Sequence, residues 1–526
     1  MAWSSRTLVL GCAALLAAGP VAVSSRAAAP PRCPRGISYL VGAAKADITP
    51  HEWPVGEAAY GIGRLAGAAA HQFYARAIAF RTCASATTVV LVGLDSQGYF
   101  TAYKEDPLGA ATDPAQGLGT TGIRLVASAA TGVPADNIVI SATHTHNSPD
   151  SVGIWGGGGQ ANNKVPYLSL VKAQTVLAIK EAVASLQPAR LVAGTSDISA
   201  FLGTYGQVRR DPANYPTDHT LRVVQAVTAS GCRPIATLIN AGVHADVAGP
   251  IHGKNGQDLI DPDWPGRVAT DAEHAAGGGT AVVVPGGVGR TGPSFPLGTD
   301  PHSKSDLVEV AAYGDALFRR VQSALATARP VGAGPVLASD TRLREEIAEP
   351  ALIPLFFSEA GVPGPSGPTL GGTMRSILPP YTVGPVLSAE AQTIRVGPLM
   401  FAGVPGEAYP ELATELAARV HTGGVPPFLL ALANDQLGYT PPAFEFPFVA
   451  AVDGGDEGFF TINVHFGDDL INQHLQAARL LGFPTTGSEP YTGVGKVLPD
   501  DQQTPAADKA LPEPRESTPG RSCRSL

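Results

Sequence analysis

The stretch Asn137-Ile138-Val139-Ile140-Ser141-Ala142-Thr143-His144-Thr145-His146-Asn147-Ser148-Pro149 carries a β-branched apolar run straight into two histidines. A short apolar run closed by turn-forming residues reads as a buried strand, here Asn137 to Ala142. The same pattern recurs along the chain. Thr88 to Leu94 (TVVLVGL) ends at Asp95, Ile235 to Val243 (IATLINAGV) at His244, and Ala281 to Val284 (AVVV) at a loop running to Pro293. Leu399 to Val404 (LMFAGV) ends at Pro405-Gly406-Glu407, and Tyr409 to Val420 reads as a helix closed by Gly423-Gly424. Phe428 to Ala433 (FLLALA) ends at Asn434-Asp435, shortly before Tyr439. Continuously apolar strands need cover on both faces, so the class is α/β: mixed β-sheets layered with α-helices.

His144, His146, His244, Glu407 and Tyr439 all fall at or just past the C-terminal ends of these strands. In open α/β sheets that edge is where ligands bind, and the site is expected there. His144 and His146 are two apart, so an extended chain projects both from one face. Imidazole and carboxylate are the usual ligands of a catalytic zinc. Each residue also has an ordinary reading. Thr-His-Thr-His fits two polar residues at a strand end, and His244 fits a satisfied, partly buried histidine. Glu407 fits a helix N-terminal charge, and Tyr439 a loop anchor. Their recurrence at one edge favours a metal.

Composition excludes several classes. Only 15% of the 526 residues are charged, against about 25% in an average soluble domain. With 61 Gly and 47 Pro the chain is too turn-rich for a coiled coil or a helical array, and its glycine falls far short of the roughly one in three of a collagen-like protein. A net charge of -9 gives no electrostatic reason to bind nucleic acid. Residues 1–29 read as an export signal: Arg6, the apolar Thr7 to Val23, then a small-residue cleavage site at Ala27 to Ala29. An uncleaved anchor is the alternative, which Gly19 and Pro20 disfavour. No later run is long and apolar enough to span a bilayer, so the mature chain is expected to be secreted or otherwise extracytoplasmic. Cys33, Cys83, Cys232 and Cys523 then remain in an oxidising compartment, where three pairings are possible. Residues 38–490 form one α/β domain, and 499–526 a disordered polar tail.

In order, these segments resemble the N-terminal catalytic domain of the neutral (non-lysosomal) ceramidase family. The likeness runs from Val41-Gly42-Ala43-Ala44-Lys45-Ala46-Asp47-Ile48-Thr49 through Tyr74-Ala75-Arg76-Ala77. Its strongest part is Ser141-Ala142-Thr143-His144-Thr145-His146, similar to the family's S-G-T-H-T-H-S-G-P. It continues through His244, Asp263-Trp264-Pro265-Gly266, Val404-Pro405-Gly406-Glu407 and Gly438-Tyr439. The resemblance implies zinc-dependent cleavage of an N-acyl amide in a small amphipathic lipid. It implies His144, His244, Glu407 and Tyr439 as zinc ligands, His146 facing the substrate, and Arg210 as an active-site arginine. Zinc (Zn2+) would activate water and polarise the scissile carbonyl, with His146 shuttling a proton and Arg210 steadying the oxyanion.

The chain departs from that family at one loop. Where the family reads G-D-V-S-P-N, with a serine proposed to act in catalysis, this chain reads Gly289-Arg290-Thr291-Gly292-Pro293. A second family tyrosine has no evident counterpart, its place taken by Asp456-Glu457-Gly458. The family's ceramidases carry a further β-rich C-terminal domain, and these 526 residues are expected to hold none. Two functions from different classes follow: an exported zinc hydrolase of an amide or related ester, or a non-catalytic secreted binding protein that keeps the fold, with or without the metal. A serine hydrolase using Ser294 with His146 is a third, without the G-x-S-x-G elbow such enzymes use.

Overall fold

The computed structural model describes residues 33–103, 106–153, 155, 164–204, 217–231, 233–275, 277, 279–294, 306–347, 386–445, 460–487 and 491. The expected signal (1–29) and tail (499–526), Arg210, Cys232, Cys523 and the Asp456-Glu457-Gly458 stretch lie outside the described residues. The main sheet contains β1 (Tyr39–Asp47), β2 (Tyr74–Thr82), β3 (Thr88–Leu94), β4 (Ile138–Ala142), β5 (Gln187–Asp197), β6 (Thr220–Thr228), β7 (Pro234–Ala241) and β8 (Thr280–Pro285). Their order is β8-β7-β6-β5-β1-β2-β3-β4, with Arg329–Pro330 as a ninth strand beside β5.

The fold class read from the sequence is the observed one, and its strand ends shift by up to three residues. The main sheet is parallel only at its two ends, β7 with β8 and β3 with β4. Every other pair along that order is antiparallel. The continuous apolar runs nevertheless have the expected cause. In β3, Val90, Val92 and Leu94 face a core on the helix side while Val89 and Leu91 face an inner core. In β8, Ala281 and Val283 likewise oppose Val282 and Val284. Helix α2 (Lys164–Ala184) covers β1 and β2, with α1 (Thr120–Thr131) beside it. Helices α3 (Asp263–Ala275) and α4 (Asp306–Ala326) cover β5, β6 and β8. A second sheet, β9 (Val336–Glu346), β10 (Val386–Val396), β11 (Leu399–Gly403) and β12 (Phe428–Leu430), completes the inner core. Helices α5 (Pro410–Arg419) and α6 (Phe466–Leu480) follow. Cys33 and Cys83 form a disulfide with Cα atoms 5.9 Å apart, at the outer ends of β1 and β2.

What positions the site is that the main sheet folds over on itself. Strands β8 and β4 lie at opposite ends of its order, yet β8 packs across the core against β2, β3 and β4. The approach is close at Gly93, where a Cβ would lie 2.5 Å from the Val283 carbonyl oxygen. Only glycine allows β3 and β8 to meet there without displacing backbone. Gly93→Val is therefore expected to lower stability in urea by about 1–3 kcal/mol through overpacking. An unchanged denaturation midpoint would show that this approach does not constrain the fold.

Candidate metal centre

The exits of β4 and β7 are zipped together. Past Ala142, the Thr143 amide donates to the Leu94 carbonyl and the His144 amide to that of Ser96, both at 2.8 Å. At His144 the chain turns with φ at 65°, so the extended geometry expected for His144 and His146 is not the one observed. A parallel bridge joins Thr145 to Ala245, and the His146 amide donates to the Ala245 carbonyl at 2.9 Å. The kink and this bridge, rather than strand alternation, bring the side chains together. The ring centroids of His144, His146 and His244 are 4.8, 4.5 and 5.4 Å apart.

Glu407 completes the cluster. Its Oε2 lies 3.3 Å from His144 Nε2 and 3.4 Å from His244 Nε2, while His146 Nε2 is 3.3 Å from His144 Nε2. Glu407 and Tyr439 were expected on loops at strand ends. Instead Glu407–Ala408 and Tyr439–Thr440 form a short parallel ladder of their own, which sets Tyr439 beside Glu407 in register. The structure thus brings His144, His146, His244 and Glu407 into contact and Tyr439 next to them. Leu202–Thr204, the strand before the Arg210 segment, pairs with Thr291–Pro293.

The hydrogen bonds around the cluster decide which atoms face inward. His144 Nδ1 donates to the Gln97 carbonyl at 2.8 Å, and His244 Nδ1 to the Thr291 carbonyl at 3.1 Å. A carbonyl oxygen only accepts, so both Nδ1 atoms carry the proton and both Nε2 atoms turn toward Glu407. Gln436 donates to Glu407 Oε1 at 3.1 Å, leaving Oε2 buried with no hydrogen-bond partner among the described residues. Burial alone would raise the Glu407 carboxyl, but the His144 and His244 imidazoles, which donate from Nε2 as well when protonated, outweigh it and hold the group well below the usual range. For His244 burial pulls down and Glu407 pushes up, with a net rise. Burial and the neighbouring imidazoles hold His146 well below its usual value. A buried carboxylate ringed by imidazole nitrogens is a donor set that fits a divalent metal. Gln436, Gln97 and the Thr291 carbonyl were not signalled by the sequence, because an amide or main-chain carbonyl carries no motif.

The loop that departs from the family pattern is built around a buried cation. Arg290, with φ at 65°, pairs with Glu411 of α5 and with Glu445 and lies 5.0 Å from the Tyr409 ring centre. It therefore ties the segment whose Thr291 carbonyl holds His244 to the helix that follows Glu407. Gly292 sits in the ladder opposite Gly203. The Ser294 amide donates to the Phe201 carbonyl, beyond that ladder.

The chain is similar in structure to a neutral ceramidase from Pseudomonas aeruginosa, with a TM-score of 0.61 and 18% identity over 86% of this chain and 76% of that one. It is similar also to a ceramidase complexed with C2, with a TM-score of 0.63 and 19% identity over 86% of this chain and 77% of that one. The fold is therefore ceramidase-like. No protein-family model and no curated protein matches the sequence. No helix among the described residues is long and apolar enough to cross a membrane.

Replacing Arg290 by Leu leaves Glu411 and Glu445 buried without their cation, and is expected to cost about 3–5 kcal/mol near neutral pH. Burial, opposed by Arg290, already raises the Glu411 carboxyl. Without the arginine, folded Glu411 holds its proton to higher pH than in the unfolded chain, so the variant binds more protons folded. Its stability rises as pH falls through that raised value toward the unfolded one. Urea denaturation from pH 8 to pH 5 should show the deficit shrinking; a constant deficit would contradict the ion-pair account.

Proposed function

We propose that this chain is an exported, zinc-dependent hydrolase of the neutral-ceramidase-like group that cleaves an N-acyl amide, as in a ceramide-like lipid, or a related ester. The observation that carries the reading is the convergence of His144, His146 and His244 on the buried, ionised Glu407. His144, His244, Glu407 and Tyr439 would hold the ion, each presented by backbone fixed at its strand exit or ladder. Bound zinc supplies a Lewis acid that polarises a carbonyl and brings the pKa of water to about 7.

The remaining chemistry falls to the chain's own side chains. Among the three histidines His146 is the partly exposed one, and its imidazole is held neutral by its surroundings. Its Nε2 can therefore accept a proton from water and return it to the leaving amine or alcohol. Arg210, outside the described residues, would offer a positive charge to the developing oxyanion. Gly292 offers no side chain to attack the carbonyl, so water is the nucleophile in this scheme. That same glycine favours the second reading, a secreted binding protein that keeps the fold, with or without the ion, and has no turnover.

Metal analysis of the purified chain, coupled to a screen of short N-acyl and ester substrates, separates the readings. About one zinc per chain is expected, lost in His144→Ala plus His244→Ala, with turnover abolished by chelator and restored by zinc. Zinc without turnover of any such substrate would favour the binding protein, and zinc content unchanged in the double variant would sink the zinc-hydrolase reading. His146→Gln should retain zinc and lower kcat by about 10²–10⁴. Covalent labelling of Ser294 by a fluorophosphonate would instead revive a serine mechanism.

Acid should remove activity and zinc together, because ligand histidines must be neutral to bind the ion. Parallel measurement of rate and metal content between pH 8 and pH 4 checks this. An acid optimum with zinc retained contradicts it.

A further inference from the structure

The turn between Val55–Gly56 and Leu65–Ala69 carries two consecutive non-glycine residues in the left-handed region, Ala59 with φ at 56° and Tyr60 with φ at 51°. Side chains seldom adopt that conformation, and such residues persist only where the surroundings over-determine them. The surroundings here are the histidine-bearing segments. The Ala58 amide donates to the Ser148 carbonyl at 2.9 Å, and the Asp150 amide donates to the Gly56 carbonyl at 2.7 Å. Glu57 bridges Pro149, and the Gly63 amide donates to the Trp155 carbonyl. Arg64 closes the turn by pairing with Glu57 at 3.1 Å. The turn is thus fastened along the residues that follow His146.

Tyr60 reaches from it to the other exit. Its hydroxyl donates to the Ala248 carbonyl, just past His244, and Asn147 donates to the same oxygen at 3.1 Å. Its ring stands edge-on to the His146 imidazole, with centroids 6.1 Å apart and planes at 61°. Of the three clustered imidazoles, His146 is the partly exposed one, and both of its neighbours have an Nδ1 anchor on a carbonyl. His146 meets His144 through Nε2 at 3.3 Å, and its ring is otherwise held by edge-on contact with Tyr60, His144 and His244.

We propose that Tyr60 is the positioning residue of His146. Its ring fixes the imidazole plane, its hydroxyl joins the two histidine-bearing exits, and the left-handed turn at Ala59–Tyr60 holds the ring in place. The consequence for turnover rests on the hydrolase reading above; the consequence for the geometry of His146 does not.

Tyr60→Leu removes the ring, Tyr60→Phe keeps it and removes the hydroxyl, and Tyr60→His keeps a smaller ring. Each is made in the full chain. The first readout is the rate of diethylpyrocarbonate modification at His146, mapped by peptide mass spectrometry with buried His144 and His244 as internal references. Tyr60→Leu is expected to raise it several-fold, with Tyr60→Phe close to wild type and Tyr60→His between them. The second is kinetic: Tyr60→Leu should lower kcat by about tenfold with KM nearly unchanged, and Tyr60→Phe should restore most of it. Equal His146 modification in wild type, Tyr60→His and Tyr60→Leu overturns the proposal; the first two suffice should the leucine variant not fold. A wild type without turnover counts against the hydrolase reading alone, because the modification rates still decide the role of Tyr60.

Discussion

The bridge between Thr145 and Ala245 is the contact on which the candidate site depends. It joins strand exits that lie far apart along the sheet and about a hundred residues apart in sequence, so it forms only when β8 has folded over β3. The fold-over is held by ordinary forces: apolar side chains of both halves share one inner core, and glycine at position 93 removes the obstacle to contact. Buried polar ties then fix the exits. Asn240 of β7 donates to the Val284 and Leu429 carbonyls, and Ser141 of β4 donates to that of Ala431. Histidines placed on such a frame lose little further conformational freedom on converging, because their backbone is already fixed.

Convergence alone does not make a donor set; the orientation of each ring does. Three imidazoles brought together would repel if protonated, and one carboxylate cannot balance them all. The carbonyls of Gln97 and Thr291 turn two rings so that their lone pairs face Glu407, and Gln436 turns the carboxylate toward the rings. These partners carry no charge, so they orient the donors without competing for a cation.

The strands, the α/β class and the four converging residues were legible in the sequence because burial on both faces and imidazole chemistry leave local traces. The antiparallel centre of the main sheet was not, since an apolar run reads alike in either direction. His144 illustrates the limit. Its place in the cluster was expected from alternation, whereas a left-handed kink and a tertiary bridge produce it. Tyr60 and Gln436 were missed for a related reason: each acts through a contact to a residue remote in sequence, and neither belongs to a spaced pattern. Arg290 was legible as a departure, but its partners Glu411 and Glu445 were not.

That arginine explains how the loop beside the centre can keep its place with glycine at 292. A buried guanidinium is costly unless every side is paired, and here two carboxylates and the Tyr409 ring meet it. The arrangement fixes the Thr291 carbonyl, and through it the His244 ring, against the helix following Glu407. Positional order at this loop therefore comes from the ion triad and the short ladder with Leu202–Thr204, with no contribution from a side chain at 292. The part this loop plays in the cluster is therefore to aim the His244 ring. The partly exposed His146 is aimed differently, through its Nε2 contact with His144 and the edges of the Tyr60 and His244 rings.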